Sequence, residues 1–336
     1  MNLKLIFSTI ILIIFSSISY YFNSIIGILD FFVSIGFYTI LFYTFHILWR
    51  KFKKEEITDS LEYMKNFIFR ISIFILVTTS ILGGFTYLSN EVFKAKMPEY
   101  TISNGEKTVV FQAMVHIASK SFYDKIIENL TKFKQDGGVY FFEGVKPGTE
   151  ENMNAFNDAI GIQFESDLYE NFSKLYGVTF QKPEDFLGLV NDLDFNVDLN
   201  INQIVELYNE KNIRSGEQKA KYSPPLDANK EILNTLASLN DRELKVLVYL
   251  NQAILNLIIG SDSLQSVLSE NFNNEMLFDV ILNGRNKVLV DEISKSEYNK
   301  IYITYGLLHF KGVLEQLQKQ DPRWQIVGTR YLYPID

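Results

Sequence analysis

The stretch that decides the fold is residues 107–143, KTVVFQAMVHIASKSFYDKIIENLTKFKQDGGVYFFE. Lys107 to Val115 is rich in β-branched and aromatic residues, which favour a strand. Ser119 to Gln135 places apolar residues at helical spacing, and Asp136-Gly137-Gly138 ends that helix. Val139 to Phe142 predicts a second strand. Two strands joined by one helix predict a right-handed crossover unit with two parallel strands.

The alternation of helix and strand signals returns near the C-terminus. It predicts a helix over Glu275 to Ser294, a strand over Lys300 to Leu308, a helix over Phe310 to Gln318 and a strand over Trp324 to Leu332. The intervening residues, about 149–272, are mostly at helical spacing. Residues 107–336 are therefore expected to form an α/β domain, with a mostly parallel sheet, helices on both faces and a helical insertion.

The sequence also predicts the structure of three segments within the insertion. Residues 212–229 contain two prolines and predict a loop. Val246 to Ile259 is too short to cross a membrane and predicts a buried core helix. The run Asn191 to Asp194 is expected to cap the helix that begins near Asn200 or to face solvent, although its carboxylates could instead reach a pocket.

The N-terminal part contains three apolar runs without a charged residue, at 5–22, 31–49 and 71–88. Each is close to the roughly 20 residues that a helix needs to cross a bilayer. Asn23 and Asp30 are expected to form a tight polar turn between the first two runs. Residues 1–89 therefore predict a membrane anchor of three transmembrane helices that contacts the lipid bilayer, and residues 90–106 predict a linker.

Basic residues indicate the orientation of the anchor. They cluster between the second and third runs, from Arg50 to Arg70, and none lies between the first two runs. Because basic residues favour the cytoplasmic side, a multi-pass protein of the cell membrane is expected, with the C-terminal domain outside. A cleaved signal peptide is the alternative for the first run, but no clear cleavage site follows it.

Composition excludes several classes of function. The chain has no cysteine, so disulfides, thiolate metal sites and a cysteine nucleophile are excluded. Seven basic and five acidic residues precede Asn90, and the net charge of the whole chain is −8. The remaining residues are therefore strongly acidic, which argues against nucleic acid as a partner.

Three candidate site residues follow predicted strands. His116 follows the strand that starts at Lys107, Glu143 follows Val139 to Phe142, and His309 follows the strand that starts at Lys300. Because parallel strands end at one edge of a sheet, the three side chains are expected to converge there. Two imidazoles and a carboxylate suit a catalytic divalent ion, and they also suit acid and base catalysis without a metal. Each residue alone is more often a hydrogen-bonded loop residue.

The same residues carry a resemblance to a protein family. The chain resembles the TraB/PrgY/GumN group and the Tiki proteins, which belong with the EreA/ChaN-related superfamily. The matching segments are Ala113-Met114-Val115-His116, Phe141-Phe142-Glu143-Gly144, Arg285-Asn286, Gly306-Leu307-Leu308-His309, and the tail segments 312–315 and 324–327. Their order and spacing agree from about residue 107 to residue 328. Ala113 departs from the group, which has glycine there, and this predicts an altered pocket or lost activity.

The resemblance implies a role for each of these residues. His116, Glu143 and His309 would bind a divalent metal ion, such as Mn, Co or Zn, with Glu143 also able to act as the catalytic base. Arg285 would be a second catalytic residue that orients Glu143 or binds a substrate anion. The alternative for Arg285 is a surface ion pair with Asp291 or Glu292.

Three functions follow as expectations. The first is a metal-dependent hydrolase, a metalloprotease by resemblance, that acts on a peptide or small-molecule substrate outside the membrane. The second is a non-catalytic binding protein that sequesters a peptide signal. The third, by similarity to erythromycin-esterase-like proteins, is esterase chemistry by histidine and glutamate alone.

Overall fold

The computed structural model describes residues 3–160, 168–215, 228–261, 263–264 and 275–335. The chain forms two compact units. One contains residues 1–88 together with the short segment 239–246, and the other contains residues 89–238 and 247–336.

The first unit is built from two long apolar helices, α1 (Leu3–Lys53) and α2 (Ser60–Tyr87). Both are long and apolar enough to cross a membrane, judged by length and composition. The backbone of α1 leaves helical geometry at Asn23 and at Ser24, where φ is 55° and ψ is −145°. The turn predicted between the first two apolar runs is therefore at these two residues. The prediction that Asp30 belongs to this turn is wrong, because Asp30 lies inside the helix.

Contacts along α2 show how the two halves of α1 are arranged. Lys4 Nζ donates to Asn66 Oδ1 at 3.4 Å, and the ring centroids of Tyr43 and Tyr63 are 5.0 Å apart. The beginning of α1 and its second half thus both contact the first part of α2, so the break at Asn23 and Ser24 is the tip of a helical hairpin.

The segment 239–246 contacts that tip. Asn240 Nδ2 donates to Asn23 Oδ1 at 3.1 Å, and Asn23 Nδ2 donates to Glu243 Oε1 at 3.1 Å. The Arg242 guanidinium donates to the carbonyl oxygen of Tyr21 and lies 4.5 Å from the centroid of its ring. Polar groups that the turn would otherwise expose are therefore paired with this segment.

The second unit contains a six-stranded sheet within the described residues, in the order β6-β4-β7-β2-β1-β8. Its strands are β1 (Met97–Ser103), β2 (Thr108–Met114), β4 (Val139–Phe142), β6 (Phe195–Asn196), β7 (Lys300–Gly306) and β8 (Gln325–Leu332). β6, β4, β7 and β2 are parallel, and β1 is antiparallel to both of its neighbours. The predicted mostly parallel sheet is confirmed. β3 (Ile117–Ala118) and β5 (Thr179–Phe180) form a separate antiparallel pair.

β1 corrects the predicted linker over residues 90–106. A strand was not predicted here because Glu99 is a charged residue. In the structure the Glu99 side chain is buried. Arg330 Nε donates to Glu99 Oε1 at 2.8 Å, and Tyr302 Oη donates to Glu99 Oε2 at 3.0 Å. A carboxylate tolerates burial when its oxygens are bonded in this way. The segment pairs with β2, the next strand along the chain, and with β8, which is distant in sequence.

The described residues after β1 also form helices. They are α3 (Lys120–Gln135), α4 (Glu150–Ile160), α5 (Leu168–Tyr176), α6 (Pro183–Leu187), α7 (Ile201–Ser215), α8 (Ala228–Ser238), α9 (Asp241–Ile259), α10 (Glu275–Asp279), α11 (Arg285–Lys295) and α12 (His309–Gln320). A π-helical turn, Val280–Gly284, joins α10 to α11. As predicted, α3 begins after Ser119, whose hydroxyl accepts the Phe122 N–H, and it ends before Gly137, where φ is 80°.

The two faces of the sheet pack on different helices. Leu130 of α3 packs with Val110, Tyr140 and Tyr302. Leu289 and Val290 of α11, with Val313 and Leu317 of α12, belong to the cluster that contains Val109, Phe111 and Ile301. Because neighbouring residues of a strand point to opposite faces, the predicted cover on both faces is confirmed.

The insertion departs from its predictions in three places. It contributes β6 to the sheet, so it is not only helical. α9 is half-buried, since Ala253, Asn256 and Ile259 are buried while Ile254 and Leu257 are exposed. The loop expected over residues 212–229 is helical at both ends, because α7 reaches Ser215 and α8 begins at Ala228, and residues 216–227 lie outside the described residues.

Asp194 of the run Asn191 to Asp194 neither caps a helix nor faces solvent. Its side chain is 1% exposed and forms an ion pair with Lys134 of α3. Asp194 Oδ1 accepts the backbone N–H of Tyr140 at 2.8 Å. It therefore ties the insertion to the start of β4, at the end of the strand away from the candidate site.

Leu130 gives a direct test of the packing of α3. Its side chain is fully buried in the cluster with Val110 and Tyr140. Leu130→Ala is expected to lower the free energy of unfolding by about 2 to 5 kcal/mol, because it removes apolar contact and leaves a cavity. Lys125→Ala, on the exposed side of α3, should change it by no more than about 0.5 kcal/mol. Denaturant unfolding in detergent compares the two, and equal effects would contradict the packing.

Candidate functional site

The sheet brings the three predicted site segments to one edge. β4, β7 and β2 are neighbours and parallel, so Glu143, the segment 307–309 and the segment 115–116 leave the sheet side by side. The N–H of Glu143 donates to the Thr304 carbonyl at 3.1 Å, and the N–H of Leu307 donates to the Met114 carbonyl at 3.1 Å. The predicted convergence of these strand ends is confirmed.

Glu143 is held by two donors, one at each oxygen of its carboxylate. Oε1 accepts Arg285 Nη2 at 2.6 Å, and Oε2 accepts the backbone N–H of Gly306 at 2.6 Å. Burial raises the pKa of the Glu143 carboxyl group, but Arg285, His309 and His116 together outweigh it and hold the pKa below its usual value. Glu143 is thus a carboxylate at neutral pH, in a fixed orientation.

Arg285 is buried at the first residue of α11. Its Nε donates to Asp198 Oδ1 and its Nη2 donates to Asp198 Oδ2, both at 2.7 Å. Burial lowers the pKa of the guanidinium group, but Glu143 and Asp198 more than compensate and raise it. The alternative of a surface pair with Asp291 or Glu292 is therefore wrong. The guanidinium group of Arg285 orients Glu143, and it forms a bidentate contact with Asp198.

Asp198 was missed in the sequence analysis. Its side chain is fully buried, and besides Arg285 it accepts the N–H of Gly144 at 3.0 Å and the hydroxyl of Tyr305 at 3.2 Å. The signal that could have found it is the one that found Glu143, a carboxylate just after a strand. β6 has only two residues, Phe195 and Asn196, and a strand that short leaves no pattern to recognise.

His309 is buried at the start of α12 beside Glu143. Its Nδ1 lies 2.7 Å from Asn286 Oδ1, and its ring packs edge-on against Tyr305 with centroids 4.7 Å apart. Burial, followed by the charge of Arg285, lowers the pKa of His309 to about 4, although Glu143 acts in the opposite direction. His309 is then neutral at pH 7. With the Nδ1 proton donated to Asn286, Nε2 carries a free lone pair.

Gly306 allows Glu143 and His309 to approach each other. A Cβ atom at Gly306 would lie 3.3 Å from His309 Cδ2 and 3.5 Å from Glu143 Oε2. The glycine of the second Gly-x-x-His segment thus leaves room that a methyl group would fill tightly against His309. At the matching position of the first segment, Ala113 is buried inside β2, and its φ is not positive. Regular strand geometry accommodates alanine there without strain.

His116 lies apart from this buried cluster. It is exposed, its ring centroid is 5.6 Å from that of Tyr169, and its carbonyl oxygen accepts the N–H of Gln181 at 2.8 Å. Contacts with the insertion therefore hold the residue by its backbone and by one face of its ring.

A cavity of about 720 Å³ opens at this edge of the sheet. His116, Glu143, Arg285 and Gly306 line it, whereas His309 lies behind Gly306. Much of the remaining wall is aromatic and comes from Phe142, Phe156, Tyr169, Phe180 and Phe186. Its volume is in the range of small-molecule and cofactor sites.

The chemical character of Glu143 and His309 suits them as ligands of a divalent ion, whereas the spacing of the candidate ligands suits an ion less well. Glu143 is ionised and His309 presents a lone pair at Nε2, as metal ligands must. Within the described residues, no group of three or more His, Asp or Glu side chains is close enough to hold one ion. The structure therefore unites Glu143, Arg285 and His309, and places His116 on the wall of the same cavity.

No family model matches the sequence, and no curated protein matches it. The resemblance to the TraB/PrgY/GumN group thus stays a prediction that depends on the quoted segments.

The pKa of His309 predicts a pH dependence of stability. An unfolded chain binds a proton at this residue near pH 6.5, whereas the folded chain does so only near pH 4. The contribution of neutral His309 to the free energy of unfolding is therefore fully present above about pH 6.5, and it decreases as the pH is lowered toward 4. Between pH 7 and pH 5 the loss from this residue should be about 2 kcal/mol. Denaturant unfolding of the wild type and of His309→Asn at both pH values measures it. Equal losses in the two proteins would contradict the buried, neutral state.

Proposed function

We propose that this protein is a membrane-anchored hydrolase that depends on a divalent metal ion and cleaves peptides or related small molecules outside the cytoplasmic membrane. The observation that carries the proposal is that Glu143 and His309 approach each other at Gly306, beside the cavity that Glu143 lines. An oriented carboxylate beside an unprotonated imidazole is the combination that metal-assisted hydrolysis requires.

The charge of the buried cluster supports a cation at this site. Glu143 and Asp198 are negative, Arg285 is positive and His309 is neutral at pH 7, which leaves one negative charge in excess. A buried charge without compensation is unfavourable, and a metal ion would compensate it. His309 and Glu143, with His116 from the cavity wall, would hold the ion. Imidazole and carboxylate ligands suit Mn, Co or Zn.

Each residue has a distinct part in the proposed reaction. A divalent ion bound there would supply Lewis acidity, which lowers the pKa of a bound water molecule. Glu143 accepts the proton of the attacking water, and Arg285 and the Gly306 N–H keep its carboxylate oriented. Asn286 keeps the proton of His309 on Nδ1, so that Nε2 stays available. The aromatic walls receive the substrate and exclude water.

A non-catalytic binding protein is the second candidate, and two observations favour it. Both oxygens of Glu143 already accept strong hydrogen bonds, and the described residues form no group of three ligands. A cavity with aromatic walls and the guanidinium of Arg285 can hold a peptide without any reaction. Esterase chemistry by His309 and Glu143 alone is the third reading, and it uses the same pair of residues.

The orientation in the membrane is part of the proposal. Arg50, Lys51 and Lys53 lie in the last turn of α1, whereas the segment 239–246 contacts the opposite, Asn23 end of the hairpin. Basic residues favour the cytoplasmic side. This arrangement supports an outer location for that segment, in a multi-pass protein of the cell membrane.

Protease accessibility tests the orientation. With protease added to spheroplasts, the chain after residue 90 is expected to be digested, whereas residues 50–59 should be cut only after the membrane is permeabilised. Epitope tags inserted at Gly105 and at Lys54 report the two sides. Digestion at Lys54 with protection of Gly105 would invert the topology and remove the extracytoplasmic substrate.

Metal analysis and turnover together test the chemistry. The purified protein is expected to retain a divalent ion and to cleave members of a peptide library, and a chelator should abolish the cleavage. His309→Ala should lose the ion. Glu143→Gln should abolish turnover while peptide binding stays measurable, because it keeps the volume and removes the charge. Glu128→Gln, on the exposed surface of α3, is the control and should have no effect.

The same measurements identify the binding protein. In that case no divalent metal produces turnover by the wild type, and peptide affinity survives Glu143→Gln but weakens in Arg285→Ala. A wild-type protein that binds metal and cleaves nothing would also favour this second candidate.

A further inference from the structure

We propose that Asp198 is a positioning residue that fixes Arg285 and, through it, the carboxylate of Glu143. The part that this residue plays in a reaction rests on the proposed function. The contact between Asp198 and Arg285 does not, and it can be measured without substrate or metal.

The hydrogen bonds of Asp198 are unusually complete. Its carboxylate accepts Arg285 Nε and Nη2, the N–H groups of Gly144 and Leu199, and the hydroxyl of Tyr305. None of its side-chain surface is exposed. Both oxygens are therefore directed by several fixed donors, so the carboxylate has one orientation available to it.

This orientation determines where the guanidinium of Arg285 lies. Glu143 accepts a single hydrogen bond from Nη2 of Arg285. This hydrogen bond alone would allow the guanidinium group to rotate about the contact. Asp198 binds through two parallel bonds, and a planar guanidinium held in that way cannot rotate. The ring of Tyr305 lies beside it, 5.3 Å from Cζ to the ring centroid. Arg285 also forms part of the cavity wall.

Asp198 also connects the insertion to the catalytic edge. It comes two residues after β6, and its Oδ2 accepts the N–H of Gly144, the residue that follows Glu143. The N–H of Ile201 donates to the carbonyl of Lys146 at 3.0 Å and continues the connection. The insertion thus supplies part of the cavity wall and also contacts the residue that follows Glu143.

Asp194 provides the contrast that separates positioning from simple structural support. It belongs to the same stretch of the insertion, is equally buried, and accepts a backbone N–H of β4. Its cation is Lys134 of α3, at the start of β4, and neither residue lines the cavity. The two aspartates share burial and a structural role, and only Asp198 contacts Arg285.

The experiment compares Asp198→Asn, Asp198→Glu and the control Asp194→Asn in the full-length protein in nanodiscs. The first measurement is hydrogen exchange of the Arg285 Nε–H in the metal-free protein, followed by NMR with ¹⁵N-arginine and assigned with Arg285→Lys. Exchange should be faster by about tenfold or more in both Asp198 variants, because hydrogen bonds between charged groups are lost. In Asp194→Asn it should match the wild type.

The second measurement is Co²⁺ affinity with its visible spectrum, which reports on His309 and Glu143. Affinity should fall by about tenfold or more in both Asp198 variants, because a misplaced Glu143 is a poorer ligand. It should be unchanged in Asp194→Asn, whatever stability that variant loses. Asp198→Glu keeps the charge and changes only the reach. If it matches the wild type in both measurements, charge alone explains the site and the proposal is overturned.

The remaining outcomes are also decisive. If Asp198→Asn does not fold, Asp198→Glu carries the test, with the same expected changes. Unchanged exchange of Arg285 in the Asp198 variants would overturn the proposal. A wild type that binds no Co²⁺ and cleaves nothing would contradict the proposed function, while the exchange measurement would still decide the role of Asp198.

Discussion

The buried ion pairs of Arg285 are the interaction on which the candidate site depends. The guanidinium group of Arg285 joins Glu143, at the end of β4, to Asp198 of the insertion. Arg285 is the first residue of α11. Removing Arg285 would leave two buried carboxylates uncompensated, which is strongly unfavourable. The three elements are therefore held in one arrangement by charge, in addition to their apolar packing.

Around that centre, the geometry of the parallel strands determines which side chains can meet. β4 and β7 end side by side, so the Gly306 N–H reaches Glu143 and the ring of His309 lies against Gly306. His116 leaves the adjacent β2 but turns toward Tyr169 of the insertion. The result is an inner pair, Glu143 and His309, and an outer histidine across the cavity. The hydrolase and the binding protein differ in whether these two parts act together.

The sequence predicted the convergence of the strand ends and, through the resemblance, a contact between Arg285 and Glu143. His116, Glu143 and His309 each follow a recognisable apolar strand, so the convergence of the three could be expected from parallel topology. Asp198 follows a strand of two residues, and the partners of Arg285 are 87 and 142 positions away. The pairing of Arg285 with Asp198 could not be predicted, because contacts between distant residues leave no periodic signal in a single sequence.

By itself, the sequence determined the properties that depend on local pattern. These are the apolar runs of residues 1–89, the strands and the helix within residues 107–143, and the alternation that makes the sheet mostly parallel. The tertiary structure alone decided which charged residues are buried. Glu99, Asp194, Asp198 and Arg285 look like surface residues in the sequence, and each is buried because a partner distant along the chain compensates its charge. Burial of a charge is a property of the pair, and folding is what brings the pair together.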